Sequence, residues 1–158
     1  MNIAVFLDRD GTIIYDRHYI KDHELVELIP GVIKGLKLFK KYGYLLIMVS
    51  NQSGIARGLI TKEEVIAVNS RLDEILHKEN VYLDGSYYCP HGPDDNCDCR
   101  KPAIGMALKA KEDFNLDLSN CYMIGDKESD IEFGCNFGAK ASFTSIKVAV
   151  NFLFKIKI

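Results

Sequence analysis

Short apolar runs that end abruptly in polar residues constrain the fold of this chain more than any other feature. One run, Ile3 to Leu7, gives way to polar residues at positions 8–10, and another, Tyr44 to Val49, gives way to them at positions 50–52. Continuous apolar strands of this length are typical of parallel sheets that are covered on both faces. The pattern therefore predicts buried parallel strands whose carboxyl ends carry polar side chains.

Helical patterns alternate with these strands. Pro30 and Gly31 open a helix that Gly43 ends, and Thr61 begins a second one, because Glu64 three residues later completes a capping box. The other predicted elements are strands at 81–89, 121–124 and 140–143, helices at 104–114 and 129–137, and a closing helix with a short tail within 145–158. These elements predict an α/β protein with a Rossmann-like open, mostly parallel sheet and helices on both faces.

Composition narrows the class of protein. The 158 residues fit a single domain, 1–158, and 47% hydrophobic with 27% charged residues excludes a disordered or fibrous chain. A net charge of −2 provides no global positive field, so we expect no nucleic-acid partner. No apolar run approaches the ~20 residues that cross a bilayer, and the first residues lack a basic leader. We therefore expect a cytoplasmic protein with no membrane partner, and we expect a monomer.

Three aspartates lie where strands are predicted to end. Asp8 and Asp10 are two residues apart, so the period of a strand points both side chains to one side, with Arg9 opposite. Two like charges this close require a cation, a shared proton or separate roles such as nucleophile and acid. Asp126 follows Gly125 at the end of the fourth strand, and three carboxylates at one sheet edge suit Mg²⁺.

Structural alternatives remain open for these residues when each is taken alone. The segment 8–11 also fits a turn in which Asp and Gly serve the backbone. Ser50 has a hydroxyl suited to a phosphoryl oxygen, but the segment 50–54 also fits an ordinary polar loop. Asp130, one helical turn after Asp126, either holds that residue through a hydrogen-bond network or caps the helix.

Four metal-ligating side chains crowd into one loop. They are Cys89, His91, Cys97 and Cys99, while Cys121 and Cys135 stand alone in apolar stretches. Three thiolates and one imidazole complete a tetrahedral Zn²⁺ site with no position left for a substrate, so we assign zinc a structural role.

Cations follow the zinc loop directly. Arg100 and Lys101 come immediately after Cys99, so an ordered loop would hold them over an anionic substrate, with Arg suited to bidentate phosphate binding. Arg57, flanked by small residues, either reaches the same ligand or is a solvated surface cation.

Four segments of the chain resemble the motifs of haloacid-dehalogenase-superfamily phosphatases, in the same order, from about residue 3 to residue 140. They are Phe6 to Thr12, Ser50, Lys101 with Pro102, and Gly125 to Asp130. Within that superfamily, residues 89–102 resemble the zinc loop shared by heptose-bisphosphate phosphatases and histidinol-phosphate phosphatases. Residues 16–19 and 51–58 are similar to the heptose enzymes, so that family is favoured.

The resemblance implies an aspartyl-phosphate mechanism. Asp8 would attack phosphorus, and Asp10 would protonate the leaving oxygen and later activate water. Ser50 and Lys101 would stabilise the transferring phosphoryl group, and Asp8, the Asp10 carbonyl and Asp126 would hold Mg²⁺. Candidates for contacting the rest of a phosphorylated sugar are Asp16, Tyr19, Asn51, Gln52, Ser53, Arg57, Arg100 and Lys127.

The resemblance implies removal of the 7-phosphate of D-glycero-D-manno-heptose 1,7-bisphosphate, in the synthesis of ADP- or GDP-heptose for lipopolysaccharide or other surface polysaccharide. The alternatives are a histidinol-phosphate phosphatase, a mutase or phosphotransferase on the same scaffold, and a non-enzymatic zinc-loop interaction module. Loss of Asp8, Asp10, Lys101 or Asp126 would mark the last of these, and all four are present. No gap is long enough for a separate cap domain, so the zinc loop is expected to do part of a lid's work.

Overall fold

A computed structural model covers residues 1–158 and shows five parallel strands and five α-helices. In chain order these are β1 (Ala4–Leu7), α1 (Val32–Lys41), β2 (Leu45–Asn51), α2 (Lys62–Lys78), β3 (Gly85–Cys89), α3 (Gly105–Phe114), β4 (Tyr122–Ile124), α4 (Glu128–Phe137), β5 (Ala141–Phe143) and α5 (Ile146–Phe154). Short 3₁₀ turns lie at His23–Leu25 and Leu118–Asn120. The predicted alternation of strands and helices is confirmed, including the closing helix.

The third strand differs from its predicted bounds. It begins at Gly85 instead of residue 81, because the N–H of Val81 is still bonded to the Leu76 carbonyl at the end of α2, at 3.0 Å. The Asp84 carboxylate accepts a hydrogen bond from the Leu46 N–H at 2.8 Å. It also forms an ion pair with Lys40 at 2.9 Å.

The second helix begins where the capping box predicts. Thr61 is the N-cap, its hydroxyl accepts the Glu64 N–H at 3.1 Å, and the Glu64 carboxylate accepts the Thr61 N–H at 2.8 Å. The N–H groups of Thr61 and Glu64, which have no partner within the helix, thereby donate hydrogen bonds to nearby side chains.

Helices cover both faces of the sheet, as the apolar strands predict. Along β1, Val5 and Leu7 belong to the larger core, with α1, α2 and α5, while Ala4 and Phe6 belong to a smaller core, with α3 and α4. The sheet is therefore buried from both sides, and the predicted α/β fold class is confirmed. No helix has the length and apolarity to cross a membrane.

The strand order β3-β2-β1-β4-β5 determines where polar residues meet. Strand β1 is central, and parallel pairing aligns its carboxyl end with those of β2 and β4. Ser50 near the carboxyl end of β2, and Asp8 and Asp126 just after β1 and β4, therefore converge at the carboxyl end of the sheet. The connections after β1 and β2 hold no separate cap domain.

Candidate active site

A buried lysine links two aspartates directly beyond the central strand. Lys101 Nζ donates to Asp8 Oδ1 at 2.8 Å, to Asp130 Oδ1 at 2.6 Å and to the Val49 carbonyl at 2.9 Å. Lys101, Asp8 and Asp130 are each at least 95% buried. All three hydrogen-bond positions of the ammonium are filled, so its place relative to Asp8 is fixed.

Burial and charge change the ionisation of this group of residues. Burial raises the pKa of Asp8 to about 6, with Lys101 opposing the rise and Asp130 adding to it. Burial disfavours the charged form of Lys101, yet the carboxylates of Asp8 and Asp130 raise its pKa overall. The lysine therefore stays cationic. One ammonium beside two buried carboxylates leaves an excess of negative charge, which a further cation would balance.

Asp126 completes a carboxylate cluster with Asp8 and Asp130. One oxygen from each lies within 4.8 Å of the others, and burial raises the pKa of Asp126. Gly11, at φ +84°, passes so close to the Asp126 carboxylate that a Cβ there would collide with it. The backbone is thus shaped around a carboxylate of the kind that binds a hard divalent cation.

Both carboxylate oxygens of Asp130 accept hydrogen bonds from the protein, unlike those of Asp8 and Asp126. Its Oδ1 accepts from Lys101 and its Oδ2 accepts the Lys127 N–H at 3.1 Å, at the start of α4. Of the two alternatives left open for Asp130, the structure shows the cap of α4; its other contact is to Lys101, and no hydrogen bond joins it to Asp126. Asp8 and Asp126 remain available as metal ligands.

The second aspartate is held by Arg9. We expected Arg9 to point away from both aspartates, but its Nη2 lies 3.0 Å from Asp10 Oδ2 and its Nη1 donates to Asn69 of α2 at 2.8 Å. The strand ends at Leu7, so its alternation no longer governs the turn that carries Asp10. The guanidinium, 99% buried, neutralises the carboxylate that would otherwise repel Asp8.

Ser50 is connected to Asp10 through Gln52. The amide nitrogen of Gln52 lies 2.6 Å from Ser50 Oγ and 3.1 Å from Asp10 Oδ2. Ser50 and Gln52 are both at least 96% buried, and of the two only Gln52 lines the cavity of the site.

Above these groups lies a polar cavity of about 300 Å³. It is lined by Asp10 and by all eight residues expected to contact a substrate, together with His18 and Ser129, which the sequence did not single out. A larger open groove of about 660 Å³ runs along α1, but lysines and apolar residues line it and it contains no catalytic group. The chemistry therefore places the candidate active site in the smaller cavity.

Three cations converge on the cavity: Arg57, Arg100 and Lys127. Lys127 Nζ lies 3.9 Å from Asp16, and Arg100 donates to the His91 carbonyl at 3.5 Å. Neither contact cancels the positive charge in the cavity. The ion pair of Lys127 with Asp16 is long and partly exposed to solvent, and the partner of Arg100 is an uncharged carbonyl. The cavity is suited to an anionic, polar ligand.

Tyr19 reaches the cavity because a glycine lies behind it. A Cβ on Gly54 would lie 2.7 Å from the Tyr19 ring and 2.9 Å from Ile60, so no larger residue fits there. Both His18 and Tyr19 have positive φ, at 51° and 55°, which marks a tight turn at the cavity rim.

Asn51 lines the cavity, but its carboxamide is bound to protein. Oδ1 accepts the Lys101 N–H at 2.9 Å and Nδ2 donates to the Lys101 carbonyl at 3.0 Å. The same residue pairs with Cys89 across β2 and β3.

The four predicted zinc ligands come together at the end of β3. Sγ of Cys89 lies 3.7 Å from Sγ of Cys97 and 2.9 Å from that of Cys99, and Nδ1 of His91 lies 3.4 and 3.2 Å from Cys89 and Cys99. All cysteines are free thiols. Burial opposes ionisation of Cys97, but backbone N–H groups of Arg100 and Cys99 lower its pKa to about 7. A closed S₃N set of this size fits a tetrahedral ion.

Besides His18 and Ser129, sequence reasoning missed the roles of Arg9 and Asn69 in the site. A charged residue directly between two aspartates is a local signal for Arg9, because a buried charge requires a partner. Nothing local marks Asn69, which reaches the site from the middle of α2 only because that helix packs beside β1.

Comparison with known proteins agrees with this geometry. A family model described as HAD-hydrolase-like matches residues 98–145, which span the segment from the zinc loop to β5. A D,D-heptose 1,7-bisphosphate phosphatase from B. bronchiseptica, solved with magnesium and phosphate, superposes with a TM-score of 0.80 at 29% identity, over 88% of this chain and 78% of that one. The fold and site define a phosphatase of the HAD-like hydrolase class.

Curated relatives narrow the class further. The D-glycero-β-D-manno-heptose-1,7-bisphosphate 7-phosphatase of Yersinia pestis is 41% identical, over 87% of this chain and 78% of that protein. The enzyme of the same name from Photorhabdus laumondii is 45% identical, over 82% and 72%. The chain belongs to the heptose-bisphosphate 7-phosphatase family.

Proposed function

We propose that this chain hydrolyses the 7-phosphate of D-glycero-β-D-manno-heptose 1,7-bisphosphate. The observation that carries the proposal is the contact between Lys101 and Asp8 beneath a cavity that three cations line. The names of the relatives supply the sugar, and the motif order supplies the chemistry. Neither of the curated relatives named above is a histidinol-phosphate phosphatase.

Asp8 is the nucleophile of the proposed reaction. Its Oδ1 is held by Lys101, which leaves Oδ2 to attack phosphorus as the bond from phosphorus to the O7 oxygen of the sugar breaks. Asp10 gives its proton to that oxygen, so the sugar leaves as an alcohol. Asp10 then takes a proton from water, which attacks the aspartyl phosphate and releases inorganic phosphate and free Asp8.

Lys101 and Ser50 stabilise the phosphoryl group during its transfer. Their charge and hydroxyl face the same edge of the sheet as Asp8, and burial strengthens their effect on developing negative charge. Arg9 and Gln52 hold Asp10 at the side of this group, where it meets the leaving oxygen.

We propose Mg²⁺ as the catalytic cofactor. Asp8, the Asp10 carbonyl and Asp126 would hold the ion, and the lack of a side chain at Gly11 supports this assignment. When bound, Mg²⁺ supplies charge that offsets the carboxylates and the phosphate. Zn²⁺ held by Cys89, His91, Cys97 and Cys99 would order the loop that carries Arg100 and Lys101.

The remaining cavity residues would recognise the rest of the sugar. We assign the 1-phosphate to the cations Arg57, Arg100 and Lys127, and the sugar hydroxyls to polar neighbours, which include Asp16, Tyr19, Gln52 and Ser53. A charged hydrogen bond that only the bisphosphate makes is worth about 1.5–3 kcal/mol, which predicts a preference of about 10- to 100-fold.

The test measures phosphate release, with Mg²⁺, from both anomers of the heptose bisphosphate and from histidinol phosphate at matched concentrations. We expect kcat/KM to rank the β-bisphosphate first, and Arg100→Met to remove most of its advantage. Lys109→Met, an exposed lysine on α3 outside the cavity, is the matched control and should change nothing. A higher kcat/KM for histidinol phosphate would refute the substrate assignment.

A further inference from the structure

The side chain of Asn51 behaves like a short piece of neighbouring strand. Its Oδ1 and Nδ2 bind the N–H and the C=O of a single residue, Lys101, at 2.9 and 3.0 Å. Asn51 itself is the last residue of β2 and is paired with Cys89. It therefore joins the rigid sheet to the loop that begins at the cysteine cluster.

Lys101 has no other backbone support. It lies between Cys99 and α3, outside every strand, and its N–H and C=O make no hydrogen bond to another backbone group. The ammonium at the end of its side chain is nevertheless held to three oxygens within 2.9 Å. Asn51 is thus the hydrogen-bond partner of both the N–H and the C=O of Lys101, and the position of the charge depends on that backbone.

We propose that Asn51 is a positioning residue that acts on the reaction through Lys101, and not a residue that recognises the substrate. The inference deepens the proposed function and rests on its chemical step. It departs from the role that family resemblance implies for Asn51, because the two carboxamide atoms that would face a sugar are used on the protein.

A consequence for rate follows from geometry. Removal of the carboxamide frees the Lys101 peptide, and displacement of a catalytic group by about 1 Å costs on the order of 100-fold in rate. The loss belongs in kcat, because the substrate loses no contact. It is therefore the same for any phosphate ester, with or without a sugar.

The variant Asn51→Ala should lower kcat by about 10- to 100-fold, which is the scale of loss for a misplaced catalytic group. Its KM should stay within about threefold of the parent value. The loss should be equal for the heptose bisphosphate and for p-nitrophenyl phosphate. Asn51→Asp keeps the acceptor for the Lys101 N–H but loses the donor to its C=O, so it should fall between parent and Asn51→Ala.

A double-mutant cycle with Lys101→Met separates the two roles. If Asn51 acts through Lys101, adding Asn51→Ala to Lys101→Met should cost little more, because the charge it positions is already absent. An equal loss in both backgrounds, or a rise in KM for the bisphosphate alone, would overturn the proposal.

Orthovanadate provides a second measurement on Asn51→Ala alone, independent of any residual activity in Lys101→Met. Its inhibition constant against p-nitrophenyl phosphate should rise by the factor by which kcat falls, since both depend on Lys101, and an unchanged constant would refute the proposal.

The matched control is Asn136→Ala. Asn136 donates to the carbonyl of Pro102, one residue beyond Lys101, at 3.0 Å, but it is exposed, so water replaces the bond and kcat should stay within about twofold. Because p-nitrophenyl phosphate reports on the site without the sugar, failure of the heptose substrate would leave this result interpretable. A wrong substrate and a wrong role for Asn51 thus give different outcomes.

Discussion

The ammonium of Lys101 lies 2.6 Å from Asp130, whose second oxygen accepts the N–H of Lys127, the N-cap residue of helix α4. The ammonium that we propose as the catalytic cation is thus held by a residue at the start of a helix as well as by Asp8, the proposed nucleophile. Removing Asp130 therefore tests whether the cation must be fixed as well as charged.

Asp130→Asn should reduce kcat/KM by about 10-fold or more and move the alkaline limb of its pH profile to lower pH. One of the two carboxylates that raise the Lys101 pKa is lost, so the lysine loses its proton at lower pH than in the parent. The variant keeps an oxygen for the Lys127 N–H and should stay folded. Glu132→Gln, on the exposed side of α4, is the control, and a profile that does not move in Asp130→Asn would contradict the role of the pair.

The two aspartates of the first loop should differ in stability as well as in activity. Asp8→Asn should abolish turnover, since it removes the nucleophile, but should leave the melting temperature unchanged or higher, because burial and Asp130 already disfavour the Asp8 charge. Activity above a few per cent would exclude covalent catalysis through Asp8.

Asp10→Asn should instead lower the free energy of unfolding by about 1.5–3 kcal/mol, the cost of leaving the buried Arg9 with no carboxylate. Its activity should fall by ~10²–10⁴-fold, the scale of lost acid–base help. Thermal melts of both variants in parallel decide the comparison. Equal melting temperatures would show that the Arg9 contact carries no stability.

Zinc removal should disorder the loop while the sheet persists. Cys97 and Cys99 pack against the smaller core, whereas the larger core on the opposite face of the sheet contains none of the zinc ligands. Cys99→Ala should therefore keep its circular dichroism and lose zinc, with kcat/KM lowered by ~10²-fold or more because Arg100 and Lys101 are no longer held.

Cys135→Ala is the matched control, since this cysteine is exposed and outside the cluster, and it should keep both zinc and activity. Unchanged kinetics in zinc-free Cys99→Ala would show that the loop has no part in the site. A wholly unfolded variant would show that the metal stabilises the whole fold.

Sequence predicted the parts of the site that come from strand ends. Asp8, Ser50 and Asp126 follow apolar runs that can only be buried strands, and parallel pairing then brings them together. The cysteine cluster was equally evident from spacing. Its ligands lie within one short loop, so no distant packing had to be known.

The contacts that hold those residues were not predicted, because they depend on packing between distant elements. Asn69 lies 60 residues from Arg9, and Asn51 lies 50 from Lys101. A carboxamide that will bind a backbone has the same local sequence as one that will bind a sugar. The contact between Asp10 and Arg9 also depends on how the turn after the first strand packs.

The strand that carries the first cysteine is also the outermost strand of the sheet. One side of β3 pairs with β2, and the other side is an open edge. Open edges invite pairing with another chain unless something hinders their approach. The cysteine cluster begins at the last residue of that strand, so a metal ion bound there would also hinder the pairing of this edge with another chain. Without that metal ion, the chain would then aggregate as well as lose activity.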